Sequence, residues 1–273
     1  MSDPSVVRAA IAATSGVIAV MVATALITRR SGKAAYVDAA WGSAFVAVTC
    51  ATTIAVISEG RTPSWRAFVL VGLVSAWGLR LTWHLARRVS ASEHDDPRYE
   101  SFLGGTIREV PFTRVLVKVF GLQALLVVIV SAPLVVGVSR PVTTPWLVVL
   151  GVVVWLVGVV FESVADAQLA AYRADPQRPN VLATGLWAWS RHPNYFGDFC
   201  VWWGLWLVGG AASGLHDGLG SLPSPVLMSW ILIGVSGVRL AEKRMQGRLG
   251  WAAYAARTPV FVPRPPVRRT PDR

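Results

Sequence analysis

At 273 residues the chain is 53% hydrophobic and only 15% charged, with a mean hydropathy of +0.50, whereas a soluble domain carries about 25% charged residues. The apolar residues stand in long blocks rather than at amphipathic spacing, which excludes an ordinary soluble domain. A formal charge of +11 raises the question of nucleic acid, and two cysteines, Cys50 and Cys200, give neither a disulfide framework nor metal-ligand spacing.

About 20 largely apolar residues cross the hydrocarbon layer as a helix. In chain order the blocks that meet or approach this length are Val6–Thr28, Ala39–Ile57, Trp65–Leu85, Val115–Val138, Trp146–Ala165, Phe199–Ala212 and Pro225–Leu240. The last two are short, and Pro133 predicts a kink in the fourth, of a kind that a bundle absorbs. The first block is too long for the apolar core of a signal peptide and runs into Arg29 and Arg30, so it reads as a span. The expected fold is therefore all-α, a polytopic transmembrane bundle of about seven spans. One domain covers residues 1–262, and a basic Pro/Arg-rich tail covers 263–273.

Basic residues orient such a bundle. Arg29, Arg30, Lys33, Arg87, Arg88, Arg98, Arg108, Arg114, Arg173, Arg178, Arg191 and the run from Arg239 to Arg273 fall in loops of one parity; Arg8, Arg61, Arg66 and Arg140 fall in the other. The expected arrangement is N-terminus out and C-terminus in, with the basic face on the cytoplasmic side of a plasma membrane. The positive charge then fits anionic lipids. No nucleic-acid motif accompanies it, and oligomeric state is left open.

Polar residues cluster at the predicted cytoplasmic ends of spans. Asp38 opens the second, Arg80 and His84 share a face at the end of the third, and Glu162 and Asp166 do so at the end of the fifth. Ionisable residues at membrane depth are costly and suggest either a polar cavity or structural ion pairs. The densest stretch is GLWAWSRHPNYFGDFCVWWG, Gly185–Gly204, holding Arg191, His192, Asn194, Tyr195 and Asp198. It has two readings. One is an interfacial anchor with an Arg–Asp pair. The other is a ligand site in which Asn194 or Asp198 caps a helix and Arg191 clamps a phosphate.

SRHPNYFGD, together with YVDAAWG (Tyr36–Gly42), WGLRLTWHLARR (Trp77–Arg88), DPRY (Asp96–Tyr99) and EKRMQGRLGWAAYAARTPVFVP (Glu242–Pro263), resembles the bacterial DUF1295 group of steroid 5α-reductase-like membrane proteins. That group is similar to the sterol reductases and to the isoprenylcysteine carboxyl methyltransferases. The resemblance implies an NADPH-dependent reductase acting on a carbon–carbon double bond of an apolar substrate that enters from the bilayer. It implies no metal. Residue by residue it assigns Arg191, His192, Asn194, Tyr195 and Asp198 to the cofactor, with Glu242, Arg244, Tyr254 and Arg257 on its adenosine side and Glu162 and Asp166 as a further patch. Steroid reductases set a glutamate on the second span and a tyrosine on the third against the ketone. This chain offers Asp38 and His84 instead, so these two are the candidate catalytic groups and the substrate widens to enone lipids and isoprenoids. An S-adenosylmethionine-dependent methyltransferase and a non-catalytic transporter or scaffold are the alternatives.

Overall fold

The computed structural model describes residues 4–266, and among them there are helices and no strand. The expected tail at 263–273 therefore lies outside the described residues from 267 onward. Six helices are long and apolar enough to cross a membrane. The membrane class read from composition stands: this is an all-α integral membrane protein. We label the helices α1 (Pro4–Ser31), α2 (Tyr36–Ser58), α3 (Trp65–Ala91), α4 (Pro97–Leu103), α5 (Phe112–Val130), α6 (Ala132–Ser139), α7 (Pro145–Ala174), α8 (Pro193–Gly209), α9 (Leu215–Met245) and α10 (Trp251–Arg257). The segment expected at Phe199–Ala212 lies mostly within α8, whose 17 residues fall below the length of a standard span.

Hydropathy located the apolar part of each helix but not its ends. Helix α3 continues past Leu85 through Arg87 and Arg88, and α7 continues past Ala165 for two and a half turns that carry Asp166 and Gln168. The expected kink at Pro133 is a break. Helix α5 ends at Val130, Ser131 turns its hydroxyl onto the Val127 carbonyl at 2.6 Å, and α6 begins with Pro133 in its first turn. Proline lacks the amide hydrogen that would have continued the ladder.

The chain forms two compact bodies, Met1–Val148 with Trp206–Ser224, and Val149–Leu205 with Pro225–Arg273. In the first, α2 packs between α1 and α3. Half of its most apolar window is buried, against 22% for α3. Helix α1 shows why the pairing works. Ala9, Ala13, Val17, Met21 and Ala25 recur every fourth residue as a buried row, while Ile11, Ile18, Val22 and Leu26 are exposed. An exposed face of that kind suits lipid rather than water. Helices α2 and α3 come close enough that a Cβ on Gly42 would strike the carbonyl of Gly78, the small-residue contact that lets membrane helices approach.

Arg66 in the first turn of α3 is fully buried. Its Nε donates to the Gly137 carbonyl at 2.9 Å, Nη2 to the Arg140 carbonyl at 2.8 Å, and Nη1 to Ser213 Oγ at 2.9 Å. One guanidinium thus satisfies the carbonyls at the end of α6 and ties them to the turn after α8. At the opposite end of α3, the loop that leads into α4 wraps onto α2. The Asp95 carboxylate accepts from the Ala34 and Ala35 amides at 2.7 and 3.0 Å, and Lys33 Nζ donates to the Val89 and Ser92 carbonyls.

The second body is built on α7 and α8. Gly151, Trp155, Gly158, Glu162 and Ala165 are buried on α7 at alternating steps of three and four, which is a helix-packing seam. A Cβ on Gly158 would come within 2.6 Å of the Gly197 carbonyl oxygen, and one on Gly197 within 2.5 Å of the Glu162 amide nitrogen. The two backbones therefore meet beside Glu162. Three outcomes follow. Arg66→Met, which strips those carbonyls of their donor, lowers stability by about 3 kcal/mol in thermal unfolding of the detergent-solubilised protein. Arg8→Met, at an exposed pair with Glu59, costs under about 1 kcal/mol. Gly197→Val prevents α7 and α8 from closing, so its yield of monodisperse protein in size-exclusion chromatography falls far below that of wild type.

Candidate functional site

The stretch before α8 is held from three directions. Gln168 Oε1 on α7 accepts from the Leu186 amide at 2.9 Å, which fixes the short 3-10 turn Gly185–Ala188, and Trp187 Nε1 donates to the Ala165 carbonyl at 3.2 Å. Tyr254 on α10 donates its hydroxyl to the Trp187 carbonyl at 2.7 Å. The terminal segment then runs alongside: the Arg191 amide donates to the Pro259 carbonyl and the Arg264 amide to the Trp189 carbonyl, each at 2.9 Å. Ser190, fully buried, adds its hydroxyl to the Phe261 carbonyl at 2.8 Å and accepts from the His192 amide at 3.1 Å. Backbone bonds of this kind are what keep a loop at one geometry near a membrane surface.

The side chains that this scaffold presents converge on one carboxylate. Glu242, near the C-terminal end of α9, receives Arg191 Nη1 on Oε2 and His192 Nε2 on Oε1, both at 2.7 Å. The Arg191 guanidinium also lies over the Trp251 ring, 5.7 Å from its centroid, and the Tyr195 ring stacks on His192 at 5.7 Å. Burial lowers the His192 pKa below the ordinary histidine value, against the raising effect of Glu242. An ionised carboxylate only accepts, so Nε2 is the donor in this contact. Burial raises the Tyr254 phenol, which leaves it a hydrogen-bond donor and not a base.

Asn194 lies inside α8, and its Nδ2 reaches Asp166 Oδ1 at 3.4 Å. The expected capping role does not apply to it, because α8 starts on Pro193, a residue suited to the first helical position. The Arg–Asp pair of the anchor reading is likewise replaced in this arrangement by Arg191–Glu242. Two polar atoms in this cluster, Arg191 Nε and Asn194 Oδ1, are buried without a hydrogen-bond partner. A buried donor and acceptor left open in this way ask for an explanation, and a bound polar group is one.

Of the expected cofactor residues, Arg191, His192, Tyr195 and Glu242 meet in one cluster, Asn194 and Asp166 form a pair, and Tyr254 supports the cluster from below through Trp187. Glu162 is buried on the α7 seam and Asp198 is half-buried on α8, while Arg244 and Arg257 are exposed. Gln168, which the sequence places in one polar patch with Glu162 and Asp166, holds the Leu186 amide. Sequence reasoning missed Ser190 and Trp251: Ser190 was legible as the first residue of SRHPNYFGD, and Trp251 is joined to the cluster only by folding.

The two candidate catalytic groups belong to the first body. Asp38 accepts from Arg98 Nη2 at 2.9 Å and from the Tyr99 hydroxyl at 2.5 Å, and Arg98 also pairs with Asp96 at 2.9 Å. Burial alone would lower the Arg98 pKa, but Asp96 and Asp38 outweigh it and raise it above the ordinary value. Burial and the adjacent Asp38 push the Tyr99 phenol well up. Asp38 thus anchors α4 to the start of α2. His84 is half-buried on α3, one turn from Arg80. Among the described residues no group of three or more His, Cys, Asp or Glu side chains is placed to hold a metal.

No curated protein and no solved structure matches the chain. Residues 24–258 match the family described as "Protein of unknown function (DUF1295)", a span that runs from the last two turns of α1 to the residue after α10 and takes in both bodies. With five of the six long apolar helices and the whole Arg191–Glu242 cluster inside that match, the chain belongs to the DUF1295 family.

Proposed function

We propose that the protein is a membrane oxidoreductase that uses NADPH to reduce a carbon–carbon double bond in an apolar, steroid-, enone- or isoprenoid-like substrate. The observation that carries this reading is the unpartnered pair of buried polar atoms, Arg191 Nε and Asn194 Oδ1, on a segment otherwise bonded at nearly every residue. Each open group costs about 1–3 kcal/mol in the absence of a ligand. A dinucleotide offers what both lack: phosphate oxygens for the arginine, and an amide or ribose hydroxyl hydrogen for the asparagine. The steroid-reductase resemblance of SRHPNYFGD points the same way.

Bound NADPH would supply the hydride. The chain's own residues bind and orient it. Glu242 fixes the Arg191 guanidinium by one edge and Trp251 covers its face. Asp166 holds the Asn194 amide, Arg191 compensates the Glu242 charge, and His192 bonds the second carboxylate oxygen. On the substrate side we assign His84 as proton donor, imidazole being the side chain that exchanges protons near neutrality, and Asp38 as the acid. In our reading the N-terminus lies outside and the basic loops face the cytoplasm of a bacterial cell, where a soluble cofactor enters and anionic lipids meet the arginines. The substrate arrives through the bilayer.

A second reading has one observation in its favour. Isoprenylcysteine-type methyltransferases share the RHPNY-like signature and a C-terminal acid, and Glu242 sits directly on Arg191 and His192. Cofactor titration of the purified protein separates the two. NADPH at one hundred times its dissociation constant adds about 2.7 kcal/mol, a rise of roughly 5–10 °C in the thermal midpoint. A saturable shift with S-adenosylmethionine and none with NADPH would sink the reductase reading. Arg191→Ala weakens NADPH binding by about ten- to a hundredfold, the worth of charge-assisted hydrogen bonds; unchanged affinity in isothermal calorimetry counts against the site.

A further inference from the structure

Beyond Asp166, α7 runs on to Ala174 and the following loop folds back over its end. The Tyr172 hydroxyl donates to the Pro179 carbonyl at 2.5 Å. Arg178 lies over the Tyr172 ring, 5.9 Å from its centroid, and its Nη1 donates to the Arg173 carbonyl at 2.9 Å and, more weakly, to the Asp175 carbonyl at 3.5 Å. The nearby Asp175 carboxylate accepts from the Gln177 amide at 2.8 Å. An exposed arginine ordinarily moves through many rotamers; this one is positioned on carbonyls and an aromatic face.

A second arginine meets it. Gly247 and Gly250, both at positive φ of 86° and 82°, make the turn between α9 and α10 and carry Arg248 and Leu249 at its tip. Tyr172, Arg178, Pro179, Asn180, Arg248 and Leu249 line a cleft of about 430 Å³. Two arginines and an asparagine are among the residues that line it, and no acidic residue is. Arginine forks match phosphate oxygens two at a time, so the chemistry of the cleft suits a phosphomonoester dianion.

We propose that this cleft is a phosphomonoester site and that it receives the 2′-phosphate by which NADPH differs from NADH, an assignment that rests on the reductase reading above. Tyr172 stands six residues beyond Asp166 on the same helix, about 9 Å along its axis. A dinucleotide held at Asn194, which Asp166 contacts, would direct its adenosine half along α7 toward this cleft. The arginines of the cleft, and not those of the cluster, then choose between the two nicotinamide cofactors.

The test is calorimetry on the full chain in detergent with NADPH and NADH, for wild type, Arg248→Gln on its exposed turn, and the Arg178→Gln/Arg248→Gln pair. Wild type binds NADPH at least tenfold more tightly than NADH. Arg248→Gln weakens NADPH about tenfold and leaves NADH unchanged, and the double variant binds both alike. Equal affinity of wild type for both nucleotides, or equal loss of both in Arg248→Gln, overturns this inference and leaves the reductase reading intact. Binding of neither nucleotide removes both. Vesicles of phosphatidic acid, which present the same phosphomonoester from a lipid, are the control: their displacement of NADPH but not of NADH from wild type supports the cleft as the phosphate site, and failure of Arg248→Gln to change NADPH binding while abolishing vesicle binding reassigns the cleft to lipid and overturns the nucleotide assignment.

Discussion

Lipid withholds hydrogen bonds, so a polar group in this chain that leaves water must find its partner in the protein. Much of the irregular structure follows from that constraint. Arg66 is buried completely, yet the guanidinium it brings inside answers the carbonyls that α6 exposes where it ends. Ser131 does the same on a smaller scale where proline breaks α5 from α6. The Asp95 carboxylate serves the amides ahead of α2. Each is a charge or hydroxyl placed at a helix end, where the backbone has groups to spare.

The Arg191–His192–Glu242 cluster obeys the same rule less completely, and that is why it stands out. Its outer bonds are made: Glu242 uses both oxygens, Ser190 uses its hydroxyl twice, and the backbone of 189–191 is paired with 259–264. Its inner ones are not, since Arg191 Nε and Asn194 Oδ1 are buried with nothing to bond. A scaffold that rigid around a defect that specific is the pattern of a ligand site rather than of loose packing.

Composition made the membrane class legible, because long apolar blocks have one common physical use. The helix ends were not legible, since α3 and α7 carry on into polar sequence where hydropathy falls but helical propensity does not. The RHPNY segment was singled out by its density of polar residues, as either an interfacial anchor or a ligand site. Its partner was not: Glu242 lies about fifty residues away, and nothing local marks it as the acid that Arg191 chooses over the nearer Asp198. Asp38 shows the converse. An acid at the start of a span looked available for chemistry, and folding brings it two donors, Arg98 and Tyr99, from the short helix α4, whose spacing gave no hint of the contact.

The pairing of residues 189–191 with 259–264 has a consequence for how the protein is made. When Arg191 and His192 leave the ribosome, the acid that both will bond and the strip of backbone that seats Arg191 do not yet exist. At about 5–20 residues per second the intervening seventy residues take several seconds. During that interval a cationic, incompletely bonded segment waits at the membrane surface until α9 has been inserted. The Arg191–Glu242 cluster is therefore a late event in biogenesis, and a nascent chain arrested before α10 carries its membrane helices without the backbone that seats Arg191.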